Sequence, residues 1–159
     1  MIGSILVAVC LLFPQPATAP GSGKAEKNAA ALKSIERFLD HPEAGEDARA
    51  VMKFAEESDD CNVQLDVDHV LTWASHKPNY PDSDVLVAAF VAGNVRSQLQ
   101  SGKVADDSYQ GLLAVFKVYE KLREANKDLK IPEIEDLQVK EKAGQLRDFL
   151  EKAAAERQK

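Results

Sequence analysis

Residues 82–100 read DSDVLVAAFVAGNVRSQLQ, and how this stretch is interpreted decides the fold. From Val85 to Ala92 every position is apolar, so no period of 2 or 3.6 divides a wet face from a dry one. Asp82, Ser83 and Asp84 ahead of the run are helix-starting residues, and Ser101-Gly102 behind it is a helix stop. The stretch is therefore predicted to be a helix covered on all sides by others. It is too short to cross a bilayer, which takes about 20 apolar residues. Gly93 within it is expected to mark a close helix crossing, because glycine otherwise weakens a helix by about 1 kcal/mol.

The flanking sequence supplies the covering helices. Residues 24–39 place Ala25, Ala29, Leu32, Ile35, Phe38 and Leu39 at spacings of three and four, and His41-Pro42 ends that pattern. A second helix is predicted over 43–57, with Ala48, Val51, Met52 and Ala55 on one face and Glu43, Glu46 and Asp47 at the positive end of its dipole. Val63 and Leu65 then alternate with Asn62 and Gln64, as in an extended connector. Asp66 or Asp68 is expected to cap a third, short helix carrying Val67, Val70, Leu71 and Ala74, closed by Pro78 and Pro81. Downstream, a helix that starts after the acidic cap Asp106-Asp107-Ser108 and reaches about Asn126 buries Leu112, Val115, Phe116 and Tyr119. A last one begins at Pro132, with Ile134, Leu137, Leu146, Phe149 and Ala153 inward. No alternating pattern is long enough for a sheet. The predicted fold is all-α, a compact bundle of five to six mostly antiparallel helices forming one domain over residues 22–159. A tetratricopeptide register fits Gly93, Ala105 and Tyr109 but fails at Arg96, Leu112 and Lys117, so no repeat array is expected.

Residues 1–21 read as an export signal, cleaved from the mature chain. The nine apolar residues from Ile5 to Phe13 are too few for an anchor, and Pro14, Pro16 and Pro20 interrupt any continuation. Ala17-Thr18-Ala19 or the bond before Ser22 is the expected cut. No base precedes the apolar run, so a misassigned start codon stays open as the alternative. If Cys10 leaves with the signal, Cys61 has no partner within the chain. The carboxylates beside Cys61 oppose a reactive thiolate.

Charge is unevenly spread along the 159 residues: between residues 40 and 84 twelve acids face three bases, whereas residues 117–159 carry eleven bases and ten acids. An acidic segment repels phosphate backbones, so nucleic acid is excluded and a basic protein surface or a small ligand is the expected partner. The densest set of acids lies at residues 59–69. Counting from Asp60, the helix-loop-helix calcium pattern needs Gly and Glu where Leu65 and Leu71 stand. His69 and His76, seven apart, lie about 10 Å apart on a helix and do not share a zinc ion. No metal or cofactor is expected, and no phosphate loop, nucleophile elbow or metalloprotease helix occurs.

These observations point to an exported, non-enzymatic binding module, periplasmic or secreted, with Asp59, Asp60, Asp66, Asp68, Trp73, His76 and Tyr80 as the candidate partner-binding residues. Two alternatives stay open: a small enzyme or enzyme inhibitor with a cleft near Trp73, His76, Tyr80 and Arg96, and a cytosolic helical scaffold with a misassigned start.

Overall fold

The structure, a computed structural model, describes residues 22–43, 45–75 and 78–157. The expected signal segment and His76 lie outside the described residues. The described chain is all-helical: α1 (Ser22–Asp40), α2 (Gly45–Glu57), a single 3-10 turn (Thr72–Ser75), α3 (Ser83–Ser101), α4 (Ser108–Ala125), α5 (Pro132–Lys142) and α6 (Leu146–Glu156). Among these residues there is no strand, and no helix is long and apolar enough to cross a membrane.

Helix α3 is the centre of the bundle. Eight consecutive residues, Ala88 to Val95, are buried, more than two full turns with no wet face. Its most extensive partner is α4, which returns alongside it after the loop 102–107; α1 and α2 cover another side as a second antiparallel pair. Two glycines permit the α3–α4 approach. A Cβ on Gly93 would stand 2.4 Å from the Gln110 carbonyl oxygen and 2.6 Å from Ala114 Cβ, and one on Gly111 would stand 2.7 Å from the Phe90 ring. Phe38, Leu71, Trp73, Phe90, Leu112, Tyr119 and Ile134 fill the core around this contact, each fully buried.

Two predicted helices take a different form. The third is not an α-helix: Asp66 does cap the segment, its Oδ1 accepting the His69 N–H at 3.1 Å, but its carbonyl then takes both the Val70 and Leu71 N–H groups at 3.1 and 2.7 Å. A turn and the 3-10 segment follow, because the distance to Pro78 leaves too few residues to repay helix nucleation. The last predicted helix is two helices. Gly144 adopts φ 70° and the Gln145 N–H closes on the Lys140 carbonyl at 2.8 Å, a left-handed stop that separates α5 from α6.

The stripe predicted along α1 is buried in its second half. Ile35, Phe38 and Leu39 are in the core, whereas Ala25 and Ala29 are exposed. The first turns of α1 thus stand away from the core and form one wall of a groove.

Candidate functional site

The acidic stretch singled out in the sequence is a connector between α2 and the 3-10 turn, and residues 61–66 run through it without helix, turn or bend. Side chains, not a neighbouring strand, hold it in place. The Gln98 amide pairs both backbone groups of Asn62: its Nε2 donates to the Asn62 carbonyl at 2.8 Å, and its Oε1 accepts the Asn62 N–H at 2.9 Å. Two residues on, Asp106 Oδ1 accepts the Gln64 N–H at 2.8 Å. Asn94, one turn before Gln98, joins these groups by accepting from Gln98 Nε2 at 2.6 Å and donating to Asp106 Oδ1 at 2.8 Å. Asn94 is wholly buried and Gln98 nearly so, and a buried amide network of this kind is stable only when its members are paired. Asp107 extends it by capping α4, its Oδ1 accepting the Gln110 N–H at 3.2 Å.

Cys61 and Val63 turn their side chains to the core from this connector. Burial, with the Asp60 charge second, pushes the Cys61 thiol above its ordinary pKa. The sequence pointed to the carboxylates alone; the tertiary structure adds the larger cause. The thiol is free and buried.

At the start of the connector, α1 and α2 enclose an open groove of about 610 Å³. Ala30, Ala31, Ala50 and Phe54 give it apolar lining, Lys27 lines it from α1 and Lys53 from α2, and Asp59 and Asp60 line it where α2 has ended. Asp60 is held by an ion pair with Lys24 and by Asn28 Nδ2 at 2.9 Å, and these hydrogen bonds, Lys24 first, keep its carboxyl below the usual range.

At the other end of the connector Asp66 is buried and engaged. Its Oδ1 meets His69 Nδ1 at 3.0 Å, and its Oδ2 lies 3.5 Å from Arg157 Nε. Arg157 also donates to Gln64 Oε1 at 2.6 Å, which ties the end of α6 to the connector. A smaller cleft of about 270 Å³ adjoins it, bounded by Val70, Asp107, Tyr109, Arg147, Leu150 and Arg157.

The predicted site residues therefore do not share one surface. Asp59 and Asp60 belong to the groove, and Asp66 is an internal tether, while Asp68 is exposed. Trp73 is fully buried in the core, its Nε1 without a hydrogen-bond partner among the described residues. Tyr80 is half-buried, and its hydroxyl donates to Glu133 Oε1 at 3.4 Å; burial, then the Glu133 contact, raises its pKa. Arg96 is half-buried on α3.

Much of the acidic segment is matched by distant bases. Asp40 pairs with Lys117 and Lys121, Asp47 with Arg37, Asp60 with Lys24, and Asp66 with Arg157. Glu56, Asp59 and Asp68 are exposed and have no ion pair among the described residues. Among those residues no cluster of three or more His, Cys, Asp or Glu side chains could hold a metal ion.

Asn94 and Gln98 went unrecognised as site-forming residues. Their signal was present: two amides four apart on one face of the helix, just after its all-apolar run from Val85 to Ala92.

The fold and site together define an all-α helical bundle that carries a side-chain-anchored acidic connector and an adjoining groove. No family model matches the chain, and neither the curated proteins nor the solved structures provide a match to it.

Proposed function

We propose that the chain is an exported, non-enzymatic protein-binding module, periplasmic or secreted, that takes a basic partner at the connector and the groove that ends on it. The observation that carries this reading is the α1–α2 groove of about 610 Å³, lined by Lys27 and Lys53 along its two helices and by Asp59 and Asp60 where the connector leaves it. The exposed acids Glu56, Asp59 and Asp68 supply charge that the fold leaves uncompensated by ion pairs among the described residues. Apolar lining, flanking charges and exposed acids form the pattern of a protein-binding surface.

The test is capture of a partner from the envelope fraction and the medium by the full chain, with Asp59→Lys and Asp68→Lys as controls. Retention is expected to weaken in both variants and with added salt. A partner held equally well by the charge-reversed chain overturns the acidic-surface reading. Mass spectrometry of the native amino terminus checks export: a start at Pro20 or Ser22 is expected, and an intact Met1 overturns it.

A further inference from the structure

The geometry points to strand addition on the connector: its outward edge takes an extended, basic peptide segment from a partner protein. This inference rests on the protein-binding reading above and gives the partner its chemistry.

In an extended chain, backbone groups of successive residues point to opposite sides. Along residues 61–66 the inward bonds are those of Asn62, both of whose backbone groups pair with Gln98, and of the Gln64 N–H, which bonds Asp106. The Gln98 amide, donating to and accepting from one residue, does there what a neighbouring strand would do. The outward side belongs to Val63 and Leu65. Neither their N–H groups nor their carbonyls have a hydrogen-bond partner among the described residues. A row of unpaired backbone donors and acceptors in extended chain is the template that strand addition uses.

Three further observations fit an incoming strand. The anchors are buried, Gln98 to 2% exposure, so the edge is presented ready-formed and binding need not order it. Leu65 and Val67, 45% and 38% exposed, are large apolar side chains left uncovered along it. The exposed Asp59 and Asp68 bracket the edge, and two bases beside it are engaged, Lys24 by Asp60 and Arg157 by Gln64 and Asp66.

The charges select the occupant. A second copy pairing through the same edge would bring Asp59 against Asp68 in the antiparallel sense, or each acid against its own equivalent in the parallel sense. Like charges placed directly opposite destabilise a strand pair, so self-pairing is opposed and lysine or arginine flanking an alternating apolar segment is favoured.

The experiment measures binding of a labelled Lys-Val-Lys-Val-Lys-Val peptide to the full chain by fluorescence anisotropy. Its comparators are the Glu-Val counterpart and a Lys-Val peptide N-methylated at every residue, which leaves neither edge a donor. Leu65→Pro removes an outward N–H that no bond within the fold uses and favours extended chain at Gln64. The Lys-Val peptide is expected to bind, Leu65→Pro to weaken it roughly threefold to tenfold, and N-methylation to abolish it. The double variant Asp59→Lys/Asp68→Lys is expected to prefer the Glu-Val peptide. If the N-methylated peptide binds the unaltered chain as well as its parent does, strand addition is overturned while the acidic surface stands. If N-methylation abolishes binding but charge reversal does not change the preference, the basic-partner reading falls and the edge remains. Absence of binding by the unmodified Lys-Val peptide overturns the proposal.

Discussion

Gly93 and Gly111 set how closely α3 and α4 approach. Opposite Gly93 stand a backbone carbonyl and an alanine Cβ, neither of which can swing aside, so Gly93→Ala is expected to destabilise the fold by about 1–3 kcal/mol in urea unfolding. Gly23, with nothing within 4 Å of a built Cβ, is the control, and Gly23→Ala is expected to leave the midpoint unchanged or slightly raised. Buried ionisable residues make a second prediction at this scale. Burial raises the Cys61 thiol from 9.0, helped by Asp60; it also raises the Tyr119 phenol from 10.0, with Glu135 adding to the rise and the Ile131 N–H opposing it. Both hold their protons more tightly folded than unfolded, so their contribution is complete below those ordinary values and is lost as pH rises past them. Urea midpoints are thus expected to fall above about pH 9, and Cys61→Ser is expected to make the first part of that fall shallower. The burial of Cys61 was not readable from its acidic neighbours, because it depends on the connector lying against α3.

Among the elements, the connector depends on α3 for its position. Gln98→Leu leaves the Asn62 groups and Asn94 Oδ1 without their amide partner, so a loss of about 1–3 kcal/mol is expected, with faster amide hydrogen exchange across residues 61–66. An unchanged exchange pattern would show that the connector stands without that anchor. The α5–α6 boundary makes the complementary case. Gly144 sits at φ 70°, a region costly for alanine, so Gly144→Ala is expected to lower stability by about 1 kcal/mol in thermal or urea unfolding. A glycine inside an apolar period can be either tolerated or a stop, and Gly93 and Gly144 are one of each. What separates them is tertiary: Gly93 faces another backbone, whereas Gly144 has open space around its Cα and a left-handed turn.

At the scale of the whole molecule, the acidic half of the sequence is partly cancelled by bases from other elements. Asp40, Asp47 and Asp60 are each held below 3.8 chiefly by hydrogen bonds from Lys117, Arg37 and Lys24 respectively. A lowered carboxyl contributes stability above its ordinary pKa and loses it as pH falls through the folded value, so acid sensitivity is expected below about pH 4. The Asp40 pairs are exposed and salt-screened, while Asp47 and Asp60 are half-buried beside exposed bases. The decline in urea midpoint between pH 6 and pH 3 is expected to shrink in Asp40→Asn. The all-α class and α3 as the core helix follow from the sequence by itself, because apolar spacing and capping residues act within a few residues of chain. The boundaries of α1 and α4 follow to within two residues for the same reason. Only the tertiary structure decided which acids remain uncompensated, that Trp73 is core, and that Gln98 and Asp106 stand in for a strand beside residues 61–66. Each of those outcomes is a meeting of groups dozens of residues apart, and no local period encodes which distant partner a side chain will meet.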